Sequence, residues 1–200
     1  MLLHALIPAS RANGPGLRAV VFFQGCSLDC AGCWNERSHR FTGPDVLVDA
    51  VAAQVLKVHA DCALEGVTFS GGEPMQQAEC LLELMNRLRA AAPSLSFGMF
   101  SGYTEHELDQ GRYWLRKPLP VCEKQRLWQE IRSRLDFAVL GRFNQALPSR
   151  EPLVTSRNQD LRLFSNRYSP ADFIERSVEV SIDESGLTQV TGFPVLGLPF

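Results

Sequence analysis

The sequence predicts an α/β fold: a partial (β/α) barrel with a mainly parallel sheet and a C-terminal hairpin. Three observations lead to this. Short apolar runs alternate with segments of helical periodicity, which is typical of βαβ units. The chain has 200 residues, fewer than the roughly 250 of a closed eight-stranded barrel. Short polar or glycine-rich segments follow the apolar runs. Because 200 residues are enough for one compact domain and too few for two of full size, we expect a single domain over residues 1–200.

Four apolar runs predict the parallel strands. Residues 17–24 (LRAVVFFQ) are almost continuously apolar, as in a strand that is buried on both faces. Residues 66–69 (GVTF), 95–100 and 135–140 (LDFAVL) are the next such runs along the chain. Each is short, and segments with helical spacing separate one run from the next, so a parallel sheet is favoured over hairpins.

Helical periodicity fills the gaps between these strands. Residues 46–59 have apolar side chains at helical spacing after a Gly-Pro start signal. Residues 76–92 form the clearest helix, which Pro93 ends. One or two helices are expected over 104–134, with a break near two prolines. The apolar stripe of the clearest helix consists of Leu81, Leu84, Met85 and Leu88.

The C-terminal part has a different pattern. Residues 145–170 are polar, rich in Arg and Asn, and have little periodicity, which predicts a connector. Residues 178–182 and 187–193 alternate apolar and polar, and residues 183–186 are typical of a turn. This predicts a hairpin within a C-terminal extension over residues 178–200, and it would make the sheet mixed.

The composition excludes several classes of protein. With 45% hydrophobic residues, the chain is not of the disordered class. Its 20 basic and 22 acidic side chains give a net charge of −2, which argues against a surface for nucleic acid or anionic membrane. No apolar run approaches the roughly 20 residues of a transmembrane helix, and the apolar stretch before Pro8 is too short for a secretory signal. We expect a cytoplasmic protein.

Three of the six cysteines form a tight cluster. Cys26, Cys30 and Cys33 fall within eight residues, and without an export signal such a group indicates a metal site rather than disulfides. The other three, Cys62, Cys80 and Cys122, are expected to be ordinary buried thiols. A structural zinc site completed by His39 is one interpretation. The other is a four-iron cluster, in which three cysteines leave one iron open to a small molecule.

The candidate site segments share a position relative to the strands. The sequences SGGEP, SGY and GRF begin at Ser70, Ser101 and Gly141, directly after predicted strands. Ligands of α/β folds bind at the carboxyl ends of strands. We therefore expect these segments and the cysteine loop to meet at one rim.

Together these motifs resemble a known family. The Cys-x3-Cys-x2-Cys spacing, followed about forty residues later by Gly71-Gly72-Glu73-Pro74, resembles the radical S-adenosylmethionine (SAM) superfamily. Within it, the chain is most similar to the activating enzymes of glycyl radical enzymes, the anaerobic ribonucleoside-triphosphate reductase activators in particular. Further landmarks, in order over residues 8–160, are Asn13-Gly14-Pro15-Gly16, CAGCWN, Ser101-Gly102-Tyr103-Thr104, Gly141-Arg142-Phe143 and Ser156-Arg157-Asn158-Gln159. Glu73 departs from the family's usual Asp, and the chain is longer than its usual members.

The resemblance implies a fold, cofactors and a site. A radical SAM domain would comprise an activase-like core over residues 1–160 and the hairpin extension. Cys26, Cys30 and Cys33 would bind a [4Fe-4S] cluster whose free iron chelates SAM. Reductive cleavage of SAM would give a 5′-deoxyadenosyl radical that abstracts hydrogen. The residues implied in SAM binding are Gly32, Cys33, Trp34, Ser70, Gly71, Gly72, Glu73, Ser101 and Arg142.

The resemblance also implies partners, and other interpretations stay open. The implied partners are a glycyl radical enzyme as protein substrate and an electron donor such as flavodoxin or ferredoxin. Trp34 would stack on adenine or cover the cluster, and Arg18, like Arg142, would face the SAM carboxylate or be a surface charge. One alternative is a radical SAM enzyme that modifies a peptide or small metabolite, with the hairpin as a lid. Another is a zinc-stabilised binding module that uses the three cysteines and His39.

Overall fold

The computed structural model of the chain describes residues 1–173, 178–182, 186 and 188–193. Its strands are β1 (Leu3–Ser10), β2 (Arg18–Phe23), β3 (Gly66–Gly71), β4 (Ser96–Ser101), β5 (Phe137–Leu140), β6 (Asp160–Leu163), β7 (Val178–Ile182) and β8 (Thr188–Gly192). Its α-helices are α1 (Val48–Cys62), α2 (Ala78–Ala91), α3 (Glu105–Asp109) and α4 (Val121–Arg132). The predicted alternation of strands and helices is confirmed.

Six strands form one sheet in the order β1-β2-β3-β4-β5-β6. Strands β2 to β5 are parallel, whereas β1 and β6 pair antiparallel at the two edges. The sheet is therefore mixed and mainly parallel. Because the four central strands run in the same direction, their carboxyl ends lie at one edge, where Phe23 is paired with Gly71 and Ser101 with Leu140.

The two edge strands were not predicted. Pro8 interrupts the alternation in β1, yet an edge strand tolerates proline because one side of its backbone needs no partner. Strand β6 has only four residues, with two of them exposed, and it lies inside the segment that was expected to be an irregular connector. Neither carries the continuous apolar signal that a central strand needs.

Helix α2 packs in the core as predicted. Leu81, Leu84, Met85 and Leu88 are all fully buried, and α2 lies between α1 and α4. A short 3₁₀ turn, Pro74–Gln77, precedes it and is capped by the Glu73 side chain, which accepts a hydrogen bond from the Met75 amide (2.9 Å). The segment GGEP therefore contains the end of β3, at Gly71, and the start of the 3₁₀ turn that leads into α2, at Pro74.

Arg18 is fully buried at the start of β2 and does not reach the carboxyl edge. Its guanidinium donates hydrogen bonds to the hydroxyls of Thr68 (2.7 Å) and Ser96 (2.8 Å). It also donates to the carbonyl oxygens of Pro15 (3.1 Å) and Val67 (2.9 Å). Arg18 therefore holds the amino ends of the strands together. Both interpretations of this residue, as a group that faces the SAM carboxylate and as a surface charge, are wrong.

The predicted hairpin is present as β7 and β8, which form a separate two-stranded sheet. The expectation that the hairpin makes the sheet mixed is therefore wrong, because β1 and β6 supply the antiparallel strands of the main sheet. The Glu179 carboxylate accepts a hydrogen bond from the Arg11 amide (2.8 Å), and the Thr191 hydroxyl accepts one from the Asn13 side chain (3.0 Å). Phe193 is buried with Phe137 and other residues of a second apolar cluster. Residues 183–185 of the predicted turn, residue 187 and residues 194–200 lie outside the described part.

Two of the three scattered cysteines are exposed rather than buried. Cys62 is the last residue of α1 and Cys122 lies in the first turn of α4, and helix ends of this kind face solvent. Cys80 is half-buried on α2. No helix in the described residues is long and apolar enough to cross a membrane.

Candidate functional site

One pocket of about 130 Å³ lies at the carboxyl edge of the sheet. The loops that follow β2, β3, β4 and β5 all contribute to it, as expected from their shared position after strands. It contains most of the residues singled out in the sequence. These are Cys26, Cys30, Cys33, Trp34, Ser70, Gly71, Gly72, Glu73 and Ser101.

The cysteine loop after β2 is folded by its own backbone. The Gly25 amide donates to the Ser38 carbonyl (2.7 Å), the Cys26 amide to the His39 carbonyl (2.9 Å), and the Cys33 amide to the Cys30 carbonyl (3.1 Å). These bonds close the loop on itself and hold the three thiols on the pocket side. The same loop brings His39 to the pocket wall.

The three thiols are free and partly buried. Burial raises the pKa of Cys26 to about 12, and it also raises the pKa of Cys30 and of Cys33. Without a metal the three groups are therefore neutral thiols, and metal binding has to release their protons. Soft sulfur ligands in a half-buried pocket suit an iron–sulfur cluster.

The zinc interpretation requires a different arrangement of ligands. A tetrahedral zinc with Zn–S bonds of about 2.3 Å needs its ligands around one point. Among the described residues, which include the three cysteines and His39, no three Cys, His, Asp or Glu side chains are grouped to hold one metal ion. The ligands of a four-iron cluster bind separate irons, so they need no common point.

Main-chain hydrogen bonds join the Gly71-Gly72 segment to the start of the cysteine loop. The Gly72 amide donates to the Phe23 carbonyl (2.7 Å) and the Glu73 amide to the Gly25 carbonyl (2.9 Å). Gly71 has a φ of +95°, and a Cβ at Gly72 would lie 2.3 Å from the Gly25 carbonyl oxygen. The close approach of the two loops therefore depends on glycine at this turn.

This contact gives a testable prediction for Gly72→Ala. We expect the variant to lose about 1–3 kcal/mol of unfolding free energy, because the added methyl group overpacks against backbone that cannot move easily. We also expect weaker SAM binding, since the turn moves away from the cysteine loop. Chemical denaturation and SAM titration measure the two effects.

Gly43→Ala is the matched control for Gly72→Ala. A Cβ at Gly43 meets nothing within 4 Å, so this variant carries only the strain of its φ of +109°. SAM affinity in Gly43→Ala should equal that of the wild type. Equal losses of SAM affinity in both variants would contradict the role of the loop contact.

Glu73 is a buried carboxylate that joins the loops after β3 and β4. It accepts hydrogen bonds from the Met75 amide (2.9 Å), the Ser101 hydroxyl (2.9 Å) and the Gly102 amide (2.7 Å). Burial raises its pKa to about 7, and the hydrogen bonds oppose that rise. The Ser101 hydroxyl is therefore used to hold Glu73.

Trp34 stands at the mouth of the pocket with 39% of its surface exposed. Its ring centroid is 5.5 Å from that of Phe143 and 6.4 Å from that of Phe193. An exposed aromatic face held by two other rings suits stacking on a planar ligand as well as covering the thiols.

Gly32 and Arg142 are the two expected site residues outside the pocket lining. Gly32 has a φ of +71°, and a Cβ there would meet the Gln145 side chain at 2.2 Å. The Arg142 guanidinium pairs with the Glu107 carboxylate (2.8 Å) and lies over the Tyr103 ring. Arg142 is near enough to the pocket to influence the pKa of Cys30 and of Glu73.

Several residues of the site carried no clear sequence signal. The Gln76 side chain accepts a hydrogen bond from the Ser27 amide (3.0 Å) and donates one to the Tyr103 hydroxyl (2.8 Å), so it links the cysteine loop to the 3₁₀ turn before α2 and to the loop after β4. The Gln159 side chain lines the pocket and donates to the Gly141 carbonyl (2.9 Å). The landmark SRNQ, in which Gln159 is the last residue, was the one available hint.

The comparison with protein families decides between the two kinds of metal site. The profile of the family described as "4Fe-4S single cluster domain" matches residues 12–162. The chain belongs to this family. The match of this 4Fe-4S domain includes all three clustered cysteines and the Gly71-Gly72 turn. It ends within β6, so the β7–β8 hairpin lies outside the matched residues.

The curated relatives that match this chain are activating proteins of enzymes. The anaerobic ribonucleoside-triphosphate reductase-activating protein of Escherichia coli K12 is 31% identical over 113 residues, or 54% of this chain and 73% of the relative. Its counterpart in Vibrio cholerae is 30% identical over 138 residues, or 65% and 86%. The pyruvate formate-lyase-activating enzyme of Staphylococcus epidermidis is 37% identical over 92 residues, or 44% and 37%. The resemblance to activating enzymes is confirmed, as are the [4Fe-4S] cluster and SAM as the cofactors.

A solved structure, QueE from Escherichia coli, aligns with a TM-score of 0.36 at 18% identity, covering 52% of this chain and 51% of its own. Such a similarity is too distant to define the form of the sheet.

Proposed function

We propose that this chain is the activating enzyme of a glycyl radical enzyme, an anaerobic ribonucleoside-triphosphate reductase. The observation that carries the proposal is the single pocket in which the three cysteine thiols and the Gly71-Gly72-Glu73 turn meet. Two activating proteins of such reductases that match this chain support the choice of partner.

Each group of the pocket has a distinct role in this proposal. Cys26, Cys30 and Cys33 bind the [4Fe-4S] cluster, which supplies the electron for reductive cleavage of SAM. The turn at Gly71 and Gly72 accepts hydrogen bonds from the SAM amino group through main-chain oxygens, because the Glu73 carboxylate is buried and held by three hydrogen bonds within the protein.

The remaining residues act around these groups. Trp34 covers the adenine side of the pocket, and Ser70 lies in its wall. Ser101 keeps the Glu73 carboxylate in place. Gly32, with its positive φ, allows the bend of the cysteine loop. Arg142, which forms an ion pair with Glu107, provides positive charge near the SAM carboxylate.

The proposal extends to the setting of the enzyme. The sheet is the partial barrel of a single radical SAM domain, with an open mouth that admits a segment of a partner protein. The electron donor is a flavodoxin or ferredoxin, and the protein works in the cytoplasm. The balanced charge of the chain supports a substrate other than nucleic acid or membrane.

The test is anaerobic reconstitution with iron and sulfide, followed by reduction and addition of SAM. We expect about four irons and four sulfides per chain and the release of 5′-deoxyadenosine. When the reductase of the same organism is added, we expect a glycyl radical signal in electron paramagnetic resonance. One zinc with no sulfide would overturn the proposal, and SAM cleavage with no glycyl radical would overturn the choice of partner.

A further inference from the structure

The β7–β8 hairpin has one apolar face. Side chains of a strand alternate between its two faces, so Val178, Val180 and Ile182 share one side of β7. Val190 is paired with Val180 and lies on the same side. These four side chains, here called the valine–isoleucine face, are 40%, 60%, 69% and 53% exposed, respectively.

The polar side of the hairpin is the one that contacts the body of the protein. Glu179 and Thr191 alternate with the valines, and they accept hydrogen bonds from the Arg11 amide and the Asn13 side chain. A two-stranded sheet ordinarily turns its apolar side inward. Here all four apolar side chains keep 40% or more of their surface exposed, and a contiguous exposed apolar patch is a mark of an interaction surface.

The valine–isoleucine face continues into a second cavity of about 300 Å³. Val178 and Val190 form one wall of this cavity. Trp34, Asn35, Ser70 and Phe193 line both this cavity and the cysteine pocket. The two cavities therefore share a wall, and the second cavity lies between the hairpin and the pocket that the three thiols line.

The lining of the second cavity is neutral. Within the described part of the chain it consists of aromatic, aliphatic, amide, hydroxyl and glycine residues, without a charged side chain. An ionised metabolite would be left without a counter-charge there, at a high desolvation cost. An uncharged segment of polypeptide with apolar side chains suits both the cavity and the hairpin.

We propose that the valine–isoleucine face and the second cavity dock the segment of the glycyl radical enzyme that carries its target glycine. The inference rests on the proposed function and adds the place and chemistry of docking. Hydrogen transfer requires the glycine to enter the cysteine pocket, so the chain on either side of it must cross the neighbouring surface. The hairpin provides an apolar and neutral surface beside the cysteine pocket. It lies outside residues 12–162, which the family profile matches.

The double variant Val180→Asp/Ile182→Asp tests this docking. Neither side chain lines a cavity, so cleavage of SAM without the reductase should equal that of the wild type. The probe is the purified anaerobic ribonucleoside-triphosphate reductase of the same organism. We expect its Kd, and the concentration that gives half-maximal glycyl radical formation, to rise about tenfold or more, as for the loss of two apolar interface contacts.

The matched control is Leu47→Asp/Val121→Asp. These side chains are 77% and 56% exposed and lie at the starts of α1 and α4, away from both cavities. The control should bind and activate the reductase like the wild type. If the aspartate pair on the hairpin prevents folding, Val180→Thr/Ile182→Thr removes the apolar surface while it keeps β-branched side chains, and a smaller rise in Kd is expected.

Three results would overturn the inference. Unchanged reductase binding in both hairpin variants, with normal activation, would place docking elsewhere and leave the proposed function intact. A wild-type dimer that dissociates in the hairpin variants would assign the face to a second copy of the chain. A wild-type protein that cleaves SAM but never binds the reductase would remove the proposed partner and the docking site together.

Discussion

Replacing Cys30 by serine is expected to abolish the cluster and SAM cleavage. All three proposed ligands come from the one loop after β2, and Cys62, Cys80 and Cys122 do not line the pocket, so no other cysteine is placed to substitute. Changes to groups that only surround metal ligands cost about 10–100-fold in affinity or activity. Loss of a direct ligand should therefore lower 5′-deoxyadenosine release more than about 100-fold. Iron and sulfide analysis of the reconstituted protein gives the matching readout.

Cys62→Ser is the control for this experiment. Its thiol is exposed at the end of α1, so iron content and SAM cleavage should equal those of the wild type. A Cys30→Ser protein that still holds four irons and releases 5′-deoxyadenosine at the wild-type rate would contradict the ligand assignment.

Arg18→Met is expected to cause the largest loss of stability. Methionine retains much of the apolar stem but donates no hydrogen bond, so the buried carbonyls of Pro15 and Val67 lose a donor. The contact with the Phe137 ring, 5.1 Å from the guanidinium carbon, is lost as well. Buried polar groups without partners cost about 1–3 kcal/mol each. We expect a total loss of about 3–5 kcal/mol in unfolding free energy.

Arg126→Met provides the comparison. Arg126 is 71% exposed and pairs with Glu130 one helical turn away, a contact worth about 0.2–0.5 kcal/mol. Denaturant unfolding of both variants should separate them by several kilocalories per mole. Equal midpoints and slopes for the two would show that the hydrogen bonds of Arg18 contribute little to stability.

The central strands and α2 could be predicted because burial leaves a strong pattern in the sequence. A parallel strand that is covered on both faces is apolar along most of its length, as residues 19–23 (AVVFF) are. The edge strands β1 and β6 are subject to no such requirement. The exposure of Cys62 and Cys122 likewise depends on where helices end, which composition does not reveal.

The candidate site was predictable where its chemistry needs particular residue types. The cysteine spacing and the Gly71-Gly72 turn are of this kind. The supporting amides of Gln76 and Gln159 are not, because hydrogen bonds between distant loops have no local pattern. The position of Arg18 follows from the length of its strand. It begins β2, and five residue steps of about 3.3 Å separate it from the carboxyl edge.

The hydrogen bonds between the loops have a consequence for a protein whose iron–sulfur cluster is damaged by oxygen. The bonds from Gly72 to Phe23, from Glu73 to Gly25 and from Ser101 to Glu73 involve no cysteine thiol. We therefore expect the pocket wall around the thiols to keep its structure when the cluster is lost. We therefore expect that iron and sulfide can rebuild the cluster in the same molecule once its thiols are reduced, without synthesis of new protein.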